Sequence, residues 1–317
     1  MKRLRPFTVV LLAILVTLLL VAYDRYARAA QPYGDKEPDV QPPAESPDWK
    51  RMGKPQPGEW LAVFSEPGQT FAEYKKQCKN RKTDKLNKMY LVPLGDIAQE
   101  EPQLIEKSAQ YLGIFFDCDV VTLPAVPLPE EAYTRKRDQY NADRLLDGVV
   151  LPMVKEKPDA LAMIALANED MYHGGLNFVF GVASLEDRVG VYSVARFHGV
   201  IELKDDSLEL LRTIKLASHE TGHIFGMYHC TFYECVMNGT NSLTETDRRP
   251  AHLCPVCLRK LEWNTGLNAL ERYKKLEKFF ADAKLKEEAE FCKRRIKELE
   301  KFRSSAPKTA NEKRKTP

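Results

Sequence analysis

The stretch 218–237 constrains this chain more than any other, and it reads S-H-E-T-G-H-I-F-G-M-Y-H-C-T-F-Y-E-C-V-M. His219 and His223 are four residues apart, so on a helix both side chains face the same side and can reach one ion. Glu220 lies next to His219, where its carboxylate can stand beside such an ion without binding it. The stretch therefore predicts a helix that carries a metal site.

A third ligand follows from the same stretch. A catalytic zinc takes three protein ligands and keeps one position open. His229 can be the third ligand only if the helix ends before it, and Gly226 is the residue where a left-handed turn costs least. We expect His219, His223 and His229 to bind a catalytic zinc, because histidines scattered on a helix without a metal would not need this spacing.

Glu220 then has a defined chemical task. Zinc supplies Lewis-acid chemistry that activates water for attack on a carbonyl. Glu220 is expected to take the proton of the attacking water and to pass it to the leaving amine. The predicted activity is therefore zinc-dependent hydrolysis of peptide bonds, on peptide or unfolded protein substrates, without a covalent intermediate.

Four of the seven cysteines cluster around this stretch, namely Cys230, Cys235, Cys254 and Cys257. Two close pairs of thiolates suit a closed, tetrahedral zinc, which predicts two zinc ions per chain, one catalytic and one structural. Two disulfides are the alternative, since they persist in proteins outside the cytoplasm. A redox-active C-x-x-C is disfavoured because the surrounding βαβ pattern is absent. The other three cysteines carry no spacing signal.

Residues 1–29 indicate export. A basic start is followed by an apolar run over residues 7–23 and by Ala27-Arg28-Ala29, a pattern typical of a signal peptide. The run is also at the short end for a membrane anchor, and both interpretations remain open. Either one places the rest of the chain in the periplasm or outside the cell, secreted or tethered by its N-terminus.

The distribution of charge disfavours a nucleic-acid partner. Of the formal net charge of +3, residues 1–29 carry +4, which leaves −1 for the rest. Nucleic-acid binders need a basic face on the folded part. We expect membrane contact only through the N-terminal segment, and a monomer.

Hydrophobic periodicity predicts an α/β (α+β) fold, with a twisted mixed sheet and an active-site helix. The expected strands cover 88–95, 120–128, 159–166, 176–181 and 189–196. The expected helices cover 97–116, 140–146, 207–224 and two segments of 267–302 that are separated by a break at 281–284.

Composition suggests five successive regions. Seven prolines between residues 31 and 58 indicate a stiff, extended linker. The regions are the targeting segment 1–29, the Pro-rich linker 30–58, a catalytic domain 59–265, a charged C-terminal helical extension 266–303 and a disordered basic tail 304–317.

The stretch 219–237, followed by C-P-V-C at 254–257, closely resembles the archaemetzincins, which are metzincin-type zinc peptidases with a second zinc on four cysteines. The resemblance extends over about 60–280. Further similar segments are E-P-G-Q-T-F (66–71), Y-L-V-P-L-G-D (90–96), Q-Y-N-A (139–142), G-L-N-F-V-F-G (175–181) and C-L-R-K-L-E-W-N (257–264).

The resemblance adds expectations that the residues alone do not give. It implies a metzincin-like zincin fold, with Met237 as the methionine of the Met-turn beneath the three imidazoles. It also implies an aminopeptidase-like preference and a sheet strand along the cleft, for which 176–181 and 189–196 both qualify. The alternative function is a catalytically silent, zinc-stabilised binding or scaffold protein at the membrane, although the intact Glu220 argues against it.

Overall fold

A computed structural model describes residues 46–197 and 206–305. The predicted targeting segment, the first part of the predicted linker and nearly all of the predicted basic tail lie outside these residues. Within the described ranges, no helix has both the length and the apolar character needed to cross a bilayer.

The strands form two sheets. They are β1 (Lys88–Leu94), β2 (Asp119–Thr122), β3 (Tyr133–Thr134), β4 (Gln139–Asn141), β5 (Ala160–Ala167), β6 (Met171–Tyr172), β7 (Gly181–Ala183) and β8 (Val189–Ser193).

The main sheet is mixed, which confirms the predicted fold class. Its order is β2-β1-β5-β8-β7; the first four strands are parallel to their neighbours, and β7 is antiparallel to β8. β1 and β5 are central and almost entirely buried apolar strands, as expected for a parallel sheet that is covered on both faces. The small sheet has the order β3-β4-β6.

Helices cover both faces of the main sheet, and five of the helices that the structure describes follow the last strand in the chain. They are α1 (Trp60–Val63), α2 (Phe71–Gln77), α3 (Ile97–Glu100), α4 (Pro102–Phe116), α5 (Ala142–Leu145), α6 (Leu151–Lys155), α7 (Asp206–Ile224), α8 (Leu243–Arg248), α9 (Pro255–Thr265), α10 (Ala269–Asp282) and α11 (Lys286–Ser305), with a π-helical turn at Leu146–Val150.

Alternating side chains of the sheet divide the core into two layers. Leu91 and Ile164 belong to the larger layer, which contains the buried residues of α4, α7 and the C-terminal helices. Their neighbours Val92 and Met163 face the smaller layer, which contains the buried residues of α5 and α6. Because side chains alternate along a strand, this register holds the long helix α7 against one face of the sheet, and α7 carries the histidines.

The chain between β6 and β8 differs from the prediction. The expected strand 176–181 is largely irregular, and only Gly181 of it belongs to a strand. Val179 makes an isolated bridge to Met171, and the ring of Phe178 packs against the guanidinium of Arg196 at 3.9 Å. The segment thus makes isolated contacts and does not pair as one continuous strand.

Further predicted elements end or begin elsewhere; the expected strand 120–128 ends at Thr122, and the expected helix 97–116 is divided into α3 and α4. The expected strand 189–196 stops at Ser193 and continues as a 3₁₀ turn over Ala195–Phe197. The expected helix 140–146 begins at Ala142, because the side chain of Asn141 accepts a hydrogen bond from the amide of Arg144 and caps the helix there.

The charged C-terminal segment forms the predicted pair of helices. α10 and α11 are separated by a turn in which Lys284 has φ of 60°, at the predicted break. Arg272 of α10 donates a 2.7 Å hydrogen bond to the carbonyl of Phe115 at the end of α4, and Phe279 packs on Tyr111 with 5.4 Å between ring centroids. The pair therefore lies against the same layer as α7.

The described part of the predicted linker is not a free spacer. Trp49 is 9% exposed and packs edge-on against His252 and Phe291, at centroid distances of 5.5 and 5.6 Å. Asp48 accepts a hydrogen bond of 2.6 Å from Arg294 of α11. One buried tryptophan and an ion pair offset the ordering cost of a segment whose composition is otherwise that of a linker.

Candidate active site

Three histidines converge at the end of α7. His219 and His223 lie one turn apart on the helix, and their Nε2 atoms are 3.1 Å apart. His229 approaches from the following turn, with ring centroids 5.3 and 5.0 Å from the other two. One ligand atom from each residue lies within 4.8 Å of the others, so the structure brings together the three residues that the spacing predicted.

The turn after α7 brings His229 back towards His219 and His223. α7 ends at Ile224, and Gly226 has φ of 81°, the left-handed conformation that the sequence required of it. The amide of Met227 donates a hydrogen bond of 3.0 Å to the carbonyl of Gly222 and closes the turn.

Hydrogen bonds on the outer side of each ring orient the three imidazoles. Nδ1 of His219 lies 2.8 Å from the carbonyl of Val236, and Nδ1 of His223 lies 2.7 Å from that of Met227. Nδ1 of His229 faces the carboxylate of Glu66 at 2.9 and 3.0 Å. Carbonyl and carboxylate oxygens accept, so each Nδ1 donates and each Nε2 keeps its lone pair, which is the tautomer that binds a metal.

The electrostatics favour the same form. Burial, together with the neighbouring His229, lowers the pKa of His219 to about 3. Burial likewise lowers the pKa of His223. Neutral imidazole is the form in which histidine ligates metals, so the buried cluster fits a divalent cation that prefers nitrogen ligands.

Glu220 lies on the same helix and lines the same cavity as the histidines. Its side chain is buried, and burial raises its pKa to about 8. A carboxyl group with a raised pKa is a stronger base, and proton transfer is most efficient when the pKa lies near the working pH.

Met237 packs beneath the helix that carries the histidines. It is fully buried, and a Cβ placed on Gly222 would come within 2.4 Å of its sulfur. A larger residue at the glycine of H-E-T-G-H would force this side chain to move. The carbonyl of Met237 also accepts a hydrogen bond of 2.7 Å from the amide of Cys230.

A cavity of about 530 Å³ opens beside the histidines and Glu220. One wall is β7 with the apolar side chains before it, and Trp60 closes one side. Polar groups of the lining come from the chain that follows Met237. Those lining residues are Asn238, Thr240, Asn241, Thr246 and Arg249.

The four clustered cysteines form a second, closed group. Their sulfurs lie within 4.8 Å of one another, all four residues are buried, and the sulfurs of Cys230 and Cys254 are 3.6 Å apart. All seven cysteines of the chain lie in the described ranges and are free thiols, so the alternative of two disulfides is not observed. Four buried sulfurs at this separation suit a tetrahedral metal.

Comparisons with known proteins place these clusters in a family. The model of peptidase family M54 matches residues 119–263. Archaemetzincin-2 of Pongo abelii is 31% identical over 263 residues, which cover 71% of this chain and 73% of that protein.

The chain belongs to the archaemetzincin family.

It is accordingly a zinc metallopeptidase. The archaemetzincin of Pyrococcus furiosus is 33% identical over 182 residues, covering 56% of this chain and 93% of that one. The crystal structure of archaemetzincin from Methanopyrus kandleri superposes with a TM-score of 0.50 at 34% identity, over 58% of this chain and 97% of that chain. The predicted family, fold class and enzyme class are therefore confirmed.

The fold also distinguishes the two archaemetzincin-like segments that the sequence left open as the cleft strand. β8 lies inside the sheet, between β5 and β7. β7 is the last strand at this side of the described sheet, and it lines the cavity. Of the two strands, β7 (Gly181–Ala183) is therefore the one that borders the cavity, and it begins at the end of the first candidate segment.

Sequence reasoning gave no role to three residues of this archaemetzincin site. Glu66 contacts His229 from 163 positions away, and only the E-P-G-Q-T-F resemblance drew attention to it. The indole of Trp60 packs edge-on against His229 at 5.1 Å. Asn238 accepts from the amide of Cys235 and donates to the carbonyls of Cys230 and Tyr233, and nothing in its local sequence indicated this.

Proposed function

We propose that His219, His223 and His229 hold the catalytic zinc of this peptidase and that Glu220 is its general base. The convergence of three Nε2 lone pairs, each fixed by an outer hydrogen bond, carries this proposal. When bound, zinc supplies Lewis-acid chemistry for attack on a carbonyl.

Glu220 handles the proton in this mechanism. Its carboxylate takes a proton from the attacking water and returns it to the nitrogen of the leaving amine. The buried position of Glu220, which raises its pKa to about 8, makes it a better proton acceptor than an exposed carboxylate. The polar and apolar walls of the cavity hold the peptide beside it.

A second zinc is proposed at Cys230, Cys235, Cys254 and Cys257, which gives two ions per chain. This site would be structural, because all four cysteines are buried and none lines the cavity. Closed four-ligand zinc sites stabilise the fold, whereas catalytic sites keep a position open.

The shape of the cleft supports short or unfolded peptides as substrates. β7 has a strand neighbour on one side in the described sheet, and an extended peptide can pair with the edge of a strand. The apolar side chains before β7 suit apolar substrate residues. An aminopeptidase-like preference is part of this proposal, and mapping the cleavage positions tests it.

Comparison of wild type with Glu220→Ala on a mixed peptide library, read by mass spectrometry, tests the function. We expect wild type to cleave and the variant to lose ~10²–10⁴-fold in kcat/KM, the usual contribution of a general base. Metal analysis should find two zinc ions in both proteins. Equal cleavage by the two proteins would contradict the proposal and would favour a scaffold role.

Export of the chain remains a proposal that rests on residues 1–29. The N-terminus of the protein purified from its own cells decides between a cleaved signal and an anchor. A start near residue 30 indicates cleavage, and an intact residue 1 in the membrane fraction indicates an anchor. We also propose a monomer, which light scattering would check.

A further inference from the structure

The third histidine differs from the other two in its outer hydrogen-bond partner. His219 and His223 donate to backbone carbonyls, which are neutral. His229 donates to the carboxylate of Glu66, with both oxygens within 3.0 Å of Nδ1. A carboxylate makes an imidazole more electron-rich than a carbonyl does, and it fixes the orientation of the ring.

Glu66 belongs to the segment 66–70, which is hydrogen-bonded to the turn 226–229 that carries His229. Gln69 is almost fully buried. It donates a hydrogen bond to the carbonyl of Gly226 and accepts one from the amide of Tyr228, at 3.2 and 3.3 Å. The ammonium of Lys260 donates to the same Gln69 oxygen at 3.1 Å. These bonds hold the segment in place independently of Glu66, so the carboxylate is presented to the imidazole by a fixed backbone.

The end of the segment is fixed as well. Thr70 and Glu73 form a reciprocal capping box at the start of α2, and α2 is packed on the core through Phe71 and Tyr74. The side chains of Glu66 and His229 are 27% and 18% exposed. The pair thus lies at the edge of the cleft, where water weakens the ionic contact only in part.

We propose that Glu66 is a positioning residue for His229: it sets the ring's tautomer and strengthens its hold on the metal, without touching substrate. The inference rests on the proposed assignment of His229 as a zinc ligand. It predicts that the affinity of the histidine cluster for zinc depends on Glu66 and that the affinity of the cysteine cluster does not.

Two substitutions separate charge from geometry. Glu66→Gln keeps the shape and one accepting oxygen but removes the charge, whereas Glu66→Ala removes the contact. Loss of such an outer partner lowers metal affinity by ~10–100-fold, so we expect that loss for alanine and an intermediate loss for glutamine. Glu73→Gln is the matched control, since it lies just after the same segment and contacts Thr70 instead of a histidine.

Zinc content is measured after equilibration with graded chelator, and the cysteine-bound zinc serves as the reference within each chain. Cobalt replaces zinc in a parallel series. The absorption of cobalt on imidazoles should change in Glu66→Gln, and the thiolate-to-cobalt bands should remain. If Glu66 mattered only for folding, its substitution would affect the cobalt spectra of both clusters. A change in the imidazole-bound cobalt alone therefore indicates a positioning role.

His229→Ala distinguishes the two possible failures. If it loses the chelator-sensitive zinc while both Glu66 variants bind zinc and cobalt like wild type, the positioning role is wrong and the metal site stands. If His229→Ala also keeps both zinc ions, the proposed catalytic site itself is wrong, and the role of Glu66 is overturned with it.

Discussion

The histidine cluster ends at His229, the cysteine cluster begins at the next residue, Cys230, and yet the two are opposite kinds of site. The histidines line a cavity of about 530 Å³ and reach solvent through it. The cysteines are closed off, and none is more than 2% exposed. The two proposed zinc sites therefore differ in access: the histidine site is open to a substrate, and the cysteine site is closed.

The closed cluster is covered by its own loop and by the start of α9. The amide of Cys254 donates to the sulfur of Cys235 at 3.3 Å, and Asn238 bonds both ends of the loop between Cys230 and Cys235. The histidine cluster has instead a helix on one side, Glu66 on another and an open cleft in front. As proposed, a zinc ion at the closed site would contribute to stability, and one at the open site would contribute to chemistry.

Removing each cluster in turn should give the largest contrast. Cys254→Ser with Cys257→Ser should unfold the domain, since zinc at a closed site supplies ~10–16 kcal/mol in small zinc domains and whole proteins are stable by only ~5–15 kcal/mol. His219→Ala with His223→Ala should lose one zinc and all activity but stay folded. Circular dichroism during denaturant unfolding measures the stability of both double variants, and zinc analysis measures their metal content. Similar unfolding curves for the two variants would contradict the distinction between a stabilising and a catalytic site.

A smaller effect on the histidine cluster is expected when a ligand of the cysteine cluster is changed. Cys230→Ser should lower kcat/KM and the zinc affinity of the histidine cluster, by ~10–100-fold as for outer partners of metal ligands. The reason is that Cys230 follows His229 directly and that its amide donates a hydrogen bond of 2.7 Å to the carbonyl of Met237.

Cys257→Ser is the control for that coupling, because it removes a thiolate of the same cluster from helix α9, away from His229. We expect a smaller loss of activity for it at equal folded fraction. Unchanged activity and unchanged histidine-bound zinc in Cys230→Ser would refute the coupling. Equal losses of activity in Cys230→Ser and Cys257→Ser would show that the effect is general destabilisation.

The smallest effect is expected at Asn238. Asn238→Ala leaves an amide and two carbonyls of the closed loop without their partner, at a cost of ~1–3 kcal/mol in the free energy of unfolding. Asn241→Ala, which removes a single 3.3 Å bond to the carbonyl of Gly58, should cost less. Denaturant midpoints measure both, and equal midpoints would show that Asn238 does not hold the cysteine loop.

Local rules predicted much of this molecule. Helical spacing gave α7 with its two histidines, and the need for a left-handed residue gave the turn at Gly226. The buried apolar runs gave β1 and β5. The same rules were wrong for 176–181, where only Gly181 belongs to a strand and where Phe178 and Val179 instead contact Arg196 and Met171.

Composition was similarly misleading for the end of the predicted linker. Its prolines indicate an extended spacer, but Trp49 is buried against the rings of His252 and Phe291. Both partners are about 200 or more positions away along the chain, and no pattern near residue 49 points to them. Burial of one large aromatic side chain is enough to fix a short segment of otherwise polar composition.

The sequence by itself determined the ligand types, their spacing and the need for the helix to end, because helical periodicity and the conformational freedom of glycine act within a few residues. It also assigned His229 and Cys230 to different clusters. Only the tertiary structure decided that one cluster is open and the other closed, that β7 borders the cleft and that Glu66 supports the third histidine. These features join residues as far apart as 163 positions, and such contacts depend on the path of the whole chain.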